Sequence, residues 1–210
     1  KCLNKVQVDT DNKCVAASGQ YFRTDRQGIL PQIIDEMYSE RVVIKKQMLS
    51  SQRELEKVDK TDKQELYRIQ RDIAIAENQQ MSIKILLNSL YGALGNKYFR
   101  FFDQRIAEGI TLTGQLTIRW AENAINDYLN KILKTNKDYV LAIDTDSVYV
   151  TLDDLIKAVN PKNPLEFLDT VCNEKLEPVL AKAYDQLFDM LGGIDNRMVM
   201  KREAIADRGI

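Results

Sequence analysis

The sequence predicts an α+β fold, with an antiparallel two-helix module inserted between segments that form antiparallel strands and further helices. Three observations carry this prediction. Apolar residues recur at 3–4 residue spacing from Ile34 to Val58 and again from Leu66 to Leu90, with the polar stretch Asp59–Asp62 between them. Short strand-like runs bounded by turn residues lie on both sides of this pair. A chain of 210 residues with 44% hydrophobic content can bury a core in one or two domains. The boundaries read as 1–28, 29–95 and 96–210.

In chain order, residues 1–30 read as short strands. Val6-Gln7-Val8 alternates, Asp11-Asn12 turns, Cys14–Ala17 and Gly19–Arg23 follow, and Asp25–Gly28 is a turn before Ile29-Leu30. Pro31 suits the first turn of a helix, which carries Ile34, Met37, Ile44, Met48, Leu55 and Val58. Arg41 falls on this apolar seam, with Lys45 one turn on. The second helix carries Leu66, Ile69, Ile73, Ala76, Ile83, Leu87 and Leu90, and the short link makes the two an antiparallel hairpin. Tyr98–Phe102 reads as a strand whose aromatics pack a core, although aromatics interleaved with arginines also suit base stacking. A long helix with Ile106, Ile110, Leu116, Trp120, Ala124, Tyr128 and Ile132 follows. Tyr139–Ile143 is a buried strand and Val148–Thr151 its return. A short helix begins at Asp153, and Leu165–Leu191 is a helix that Pro178 would kink. Gly192-Gly193 ends it, and Arg197–Ala206 reads as two short strands.

Composition narrows the chemistry. The chain has no histidine, which removes Ser-His-Asp and Cys-His catalysis and His-ligated metals from it. Three scattered cysteines indicate a reducing compartment and no disulfide framework. No run of eighteen apolar residues and no signal peptide is visible, so no membrane partner is expected. Residues 1–143 hold 22 Lys+Arg against 18 Asp+Glu, whereas 144–196 hold 4 against 11. A polyanion would prefer the first part and cations the second, although solvated surface gives the same pattern.

Two stretches carry candidate chemistry. On the second helix Ile83, Leu87 and Leu90 face the core, and Lys84, Asn88 and Tyr91 share the same spacing, rotated by roughly 100°. A cation and an amide one turn apart suit a phosphate chain, and Arg41 with Lys45 could join them from the first helix. A solvated polar face beside a core stripe would look the same. The helix then meets Gly92 and Gly95, where the chain can turn or let another backbone approach. At the tip of the later hairpin stand Asp144 and Asp146. On a strand they would share a face at about 7 Å between Cα atoms. Paired acids repel unless a cation compensates, and Mg²⁺ is the natural partner of such oxygen ligands. A turn that merely favours aspartate is the plain alternative.

The wording of the two stretches adds to this. Lys84-x3-Asn88-Ser89-Leu90-Tyr91-Gly92-Ala93-Leu94-Gly95 resembles the fingers-helix motif of family B DNA polymerases of the T4-type bacteriophage kind. Asp144-Thr145-Asp146-Ser147 resembles that family's carboxylate motif, in the family's order. The resemblance spans about Tyr21 to Asp207 and is loose outside the motifs. It implies a partial palm, made of 1–28 and 96–210, carrying a fingers module at 29–95. It implies template-directed DNA synthesis, in which a primer 3′-hydroxyl attacks the α-phosphate of a dNTP. Asp146 would ligate two catalytic Mg²⁺ ions, and Asp144 would ligate or shape the site. Glu203, in Lys201-Arg202-Glu203, would place a third acidic group near the metals. Arg41, Lys45 and Lys84 would neutralise the triphosphate, Asn88 would orient it, and Tyr91 and Gly92 would line the floor beneath the nascent base pair.

The implied partners are primer–template DNA, dNTP and the remaining polymerase domains, namely the N-terminal and exonuclease part, the rest of the palm and the thumb. A sliding clamp is a further implied partner, and the implied location is the cytoplasm of an infected bacterial host. The family's Asp-x-x-Ser-Leu-Tyr-Pro-Ser-like strand has no counterpart here and is expected before Lys1. The primer-contacting Lys-Lys-Arg-Tyr segment, the thumb and the exonuclease acids also have none, so the chain alone is expected not to polymerise DNA. Reverse transcriptases carry adjacent hairpin acids, whereas Thr145 separates these two. The alternative of another kind is a non-catalytic helical-hairpin module that binds DNA or a protein partner.

Overall fold

The computed structural model describes residues 12–59 and 61–206. They fall into two compact units, one of residues 26–107 and the other of the residues before 26 and after 107. The strand expected at Val6-Gln7-Val8 lies outside the described residues.

In the first unit, α1 (Ile29–Leu55) and α2 (Lys63–Leu94) pack on each other as a helical hairpin. Ile29 and Leu30, read as the end of a strand, form the first turn of α1 instead, where Pro31 needs no backbone donor. The seam of α1 is half-buried at Met37, Arg41, Ile44, Met48, Ser51 and Leu55. On α2, Ile69, Gln80, Ile83 and Leu94 are buried. This 3–4 alternation is the narrow stripe that two packed helices share. Asp62 caps α2, accepting from the Glu65 N–H at 3.1 Å. Helix α2 runs through Gly92 and ends at Gly95, so Gly92 is a helical residue and not a turn. A Cβ at Gly92 would meet nothing within 4 Å.

Residues 96–102 form a run of turns, not the expected strand. The Phe99 N–H bonds to the Asn96 carbonyl at 2.9 Å and the Phe102 N–H to the Phe99 carbonyl at 3.0 Å. These local bonds leave no ladder for a partner strand. The expected core packing fails with it, because Tyr98 is 85% exposed and Phe101 and Phe102 are exposed as well. Lys97 Nζ lies 5.0 Å from the Tyr98 ring centre, and the Arg100 guanidinium lies 5.7 Å from that of Phe101.

The second unit is built on α3 (Gln104–Leu133) and α6 (Glu177–Leu191). The antiparallel pair β1 (Lys13–Val15) and β2 (Tyr21–Arg23) lies on α3. There Gly109 lets Ala16 and Ser18 come within 3.4–3.5 Å of where a Cβ would stand. Val15, Trp120, Ala183, Leu187 and Leu191 form one core cluster, and the buried Trp120 Nε1–H donates to the Ala183 carbonyl at 2.8 Å. A second cluster joins Ala121, Ile125 and Leu129 to Tyr139, Val140, Leu180 and Tyr184. Burial also pushes the Tyr184 hydroxyl above its usual pKa.

Beyond α4 (Asp153–Val159) the expected single helix is three pieces. These are α5 (Pro164–Val171), a π-helical turn at Cys172–Leu176, and α6 with Pro178 in its first turn. Proline removes one backbone donor and crowds the preceding turn, and the wider π turn takes up both demands. Residues 197–206 hold no regular strand, although Met198 and Met200 pack on the second core cluster.

Candidate active-site residues

The acidic hairpin comprises β3 (Val140–Asp144) and β4 (Ser147–Val150), antiparallel, with Asp144 opposite Ser147. The first strand is not buried along its whole length as expected. Only its start is buried, and Leu141 is 71% exposed, because a two-stranded sheet covers one face alone.

Asparagines of α3 set the position of β3. Asn126 accepts from the Tyr139 N–H at 2.8 Å and donates to Asp138 Oδ1 at 2.8 Å. Asn130 accepts from the Lys137 N–H at 2.8 Å and donates to the Lys137 carbonyl at 2.8 Å. From before β3, Lys137 Nζ reaches Asp154 Oδ2 on α4, after β4, at 2.7 Å, closing the base of the two strands. That bond raises the Lys137 pKa and lowers that of Asp154. None of these three residues stands among the candidates read from the sequence. Two asparagines one turn apart near a helix end, before a strand, were the available signal.

Asp144 ends β3, whereas Asp146 lies in the two-residue loop, so they do not share a strand face as expected. Thr145 between them has φ +50°. Its Oγ1–H donates to Asp144 Oδ1 at 3.1 Å, and Ser147 Oγ–H donates to the Asp144 carbonyl at 3.1 Å. Both acids are exposed, and neither forms an ion pair among the described residues. Two exposed carboxylates outside any ion pair among the described residues, at one hairpin tip, suit Mg²⁺, a hard cation that takes one or two carboxylates and completes its shell with water and phosphate. Glu203 does not join them. No group of three or more acidic or cysteine side chains that could hold a metal occurs among the described residues. The segment that was to carry Glu203 as a strand is irregular.

The cationic candidates belong to the unit 26–107. Lys84, Asn88 and Tyr91 are exposed along one side of α2, next to the buried Ile83, and Gly92 follows with open space above it. Lys45 is exposed on α1. Arg41 lies half-buried in the seam, and its Nε is buried with no hydrogen-bond partner among the described residues. An orphaned buried donor costs about 1–3 kcal/mol, so the position suits an anion that would satisfy it. The glycine inside α2 points the same way, since it costs about 0.5–1 kcal/mol relative to alanine and nothing in its own unit fills the space.

Comparison with known proteins agrees with the two motifs. The family model described as DNA polymerase family B matches residues 3–161. The chain is 45% identical to the DNA-directed DNA polymerase of Enterobacteria phage T4 over 139 residues, covering 63% of this chain and 16% of that protein. It is 31% identical to the DNA-directed DNA polymerase of Escherichia phage RB69, covering 90% of this chain and 26% of that one. DNA polymerase 1 of Pyrococcus abyssi is 28% identical over 81% of this chain and 19% of its own length. The chain thus spans about a quarter or less of the length of these relatives. With the family model matched over most of its residues and both motifs in the matched region, the chain belongs to DNA polymerase family B, on the T4-type bacteriophage branch.

Proposed function

We propose that this chain is the fingers and part of the palm of a DNA-directed DNA polymerase. In this reading 29–95 is the fingers module, and 1–28 and 96–210 are palm segments. The observation that carries it is the presence of both motifs within the matched residues 3–161, with Lys84, Asp144 and Asp146 outside any ion pair among the described residues. Unpaired exposed charges of both signs are what a polyphosphate and its cations require.

Lys84, Arg41 and Lys45 neutralise the triphosphate, and the orphaned Arg41 Nε–H gains an acceptor. Asn88 orients the same chain of phosphates. Tyr91 and Gly92 form the floor beneath the nascent base pair, the glycine letting the pair approach the helix closely. Asp146 and Asp144 hold the metal, with Glu203 an outlying third acid. When bound, two Mg²⁺ ions would steady the attacking and leaving oxygens and offset their charge. The exposed turn Asn96–Phe102, with Lys97 and Arg100 beside Tyr98 and Phe101, suits contact with the bases and phosphates of DNA.

With Glu203 outlying, the two hairpin carboxylates leave the metal site open on one side, so the 210-residue chain alone does not extend a primer. Primer extension with the purified chain, Mg²⁺ and all four dNTPs tests this, with Asp146→Asn as control. No extension is expected, and extension that disappears in the variant would refute the inactivity while supporting the role of Asp146. Within a complete polymerase, Lys84→Ala should weaken use of all four dNTPs alike. Charge-assisted contacts are worth about 1.5–3 kcal/mol each, so apparent affinity should fall roughly tenfold or more. A loss confined to one base would count against the triphosphate role.

A further inference from the structure

We propose that Thr145 is a positioning residue of the acidic hairpin. Its left-handed backbone takes Asp146 out of the line of β3, while its hydroxyl holds the Asp144 carboxylate, so that the hairpin offers a cation one fixed acid and one open acid. The inference rests on the metal role proposed above for Asp144 and Asp146.

On a regular strand the two acids would stand about 7 Å apart at Cα with parallel side chains. A Mg²⁺ ion needs oxygens at about 2.0–2.1 Å, so its ligands must converge. The hairpin breaks the strand between them, with Asp144 paired to Ser147 and only Thr145 and Asp146 in the loop.

The residue that makes the break is unusual for its place. The first position of a two-residue hairpin loop favours glycine, asparagine or aspartate, because it needs positive φ. Thr145 occupies it at φ +50°, and a β-branched residue there is a true outlier. Burial does not hold it, since Thr145 is exposed. Its hydroxyl donates to Asp144 Oδ1 at 3.1 Å. Ser147 holds the carbonyl of the same aspartate from the other side. The Asp146 carboxylate has no hydrogen-bond partner among the described residues. Asp144 is therefore fixed by two flanking hydroxyls and Asp146 is left open. Glycine would relax the backbone and lose the hydroxyl, so the strain is the cost of placing a donor there. Strained backbone of this kind concentrates at functional sites.

The test uses the full 210-residue chain and Mn²⁺ alone, with the probe read locally. Paramagnetic broadening of the Asp144–Val148 amide signals gives a Mn²⁺ midpoint for the hairpin. Thermal unfolding gives the strain. Thr145→Gly should raise Tm by about 2–4 °C, the part of the relieved strain that remains once glycine's larger unfolded-state entropy is subtracted, for a chain of this length. It should also raise the Mn²⁺ midpoint by about threefold to tenfold, at or below the loss usual when a hydrogen-bond partner of a metal-ligating carboxylate is removed. Thr145→Val keeps the branch and removes the hydroxyl, so its midpoint should rise similarly without a gain in Tm. Thr145→Ser keeps the hydroxyl and should retain the wild-type midpoint. Broadening that Asp146→Asn abolishes but that Thr145→Gly and Thr145→Val leave unchanged would overturn the role of Thr145 alone. A fall in Tm for Thr145→Gly would overturn the strain that the role requires. Absence of any Asp146-dependent broadening in the wild-type chain would overturn the metal reading and this inference with it.

Discussion

Asn126→Ala probes how the acidic hairpin is held. The Asn126 side chain accepts from the Tyr139 N–H at 2.8 Å and donates to Asp138 at 2.8 Å. Tyr139 is only 2% exposed, so truncation leaves its N–H without an acceptor in a site closed to water. A buried donor so orphaned costs about 1–3 kcal/mol, and the exposed bond to Asp138 adds little. The total of about 2 kcal/mol corresponds to a fall in Tm of about 4–8 °C for a chain of this size. Circular dichroism on heating measures that fall. Amide exchange of Val140–Asp144 should accelerate by the same free energy, roughly thirtyfold for 2 kcal/mol, while amides at the centre of α2, in the other unit, keep their rates. A Tm within about 1 °C of wild type, with unchanged exchange in β3, would refute the idea that α3 positions the hairpin through this residue.

Two further predictions concern the same unit. The Lys137–Asp154 bond lowers the Asp154 pKa and raises that of Lys137. Its contribution is therefore complete from above the ordinary carboxylate range up to the ordinary lysine range. It is lost as pH falls through the lowered Asp154 value or rises through the raised Lys137 value. Hairpin exchange in Asp154→Asn should lose this part of its pH dependence, and equal acid-limb profiles in the two proteins would contradict it. At the end of α6, a Cβ on Gly193 would stand 2.1 Å from the Phe188 ring. Gly193→Ala should destabilise by about 1–3 kcal/mol, as overpacking does. Phe188→Ala in the same chain should remove most of the additional loss, and additive losses in the double variant would exclude the clash as cause.

The helical hairpin was legible because its seam is a repeat. Residues spaced three and four apart from Ile34 to Val58 and from Leu66 to Leu90 were expected on the seam. Ile34 is exposed, whereas Met37, Ile44, Met48 and Leu55 are half-buried, Ile69 and Ile83 are buried, and Arg41 lies where its spacing put it. The acids were legible as a hairpin tip because a β-rich run precedes them and another follows. What spacing could not carry was the backbone between them. Nothing in Asp-Thr-Asp announces positive φ at Thr145, since that conformation runs against the residue's own preference. Tyr98–Phe102 misled for a related reason. Four aromatics in five residues have strand propensity, yet a strand exists only with a partner, and Asn96 turns the chain locally instead. Pro178 was rightly seen to disturb a helix, but the disturbance falls in the turn before it, at Cys172–Leu176, where the missing donor and the ring act. The bonds from Asn126, Asn130 and Lys137 run beyond any single element, over 13, 7 and 17 residues, which periodicity within one element does not reach.

The central claim is that this chain supplies the acids and the triphosphate cations of nucleotidyl transfer. Its most direct test is primer extension by a phage T4 polymerase whose matching region is replaced by these residues. The chimera should extend a primer with Mg²⁺ and all four dNTPs. Asp146→Asn in it should abolish extension while leaving primer–template binding intact. Undiminished extension by the Asp146→Asn chimera would contradict the claim.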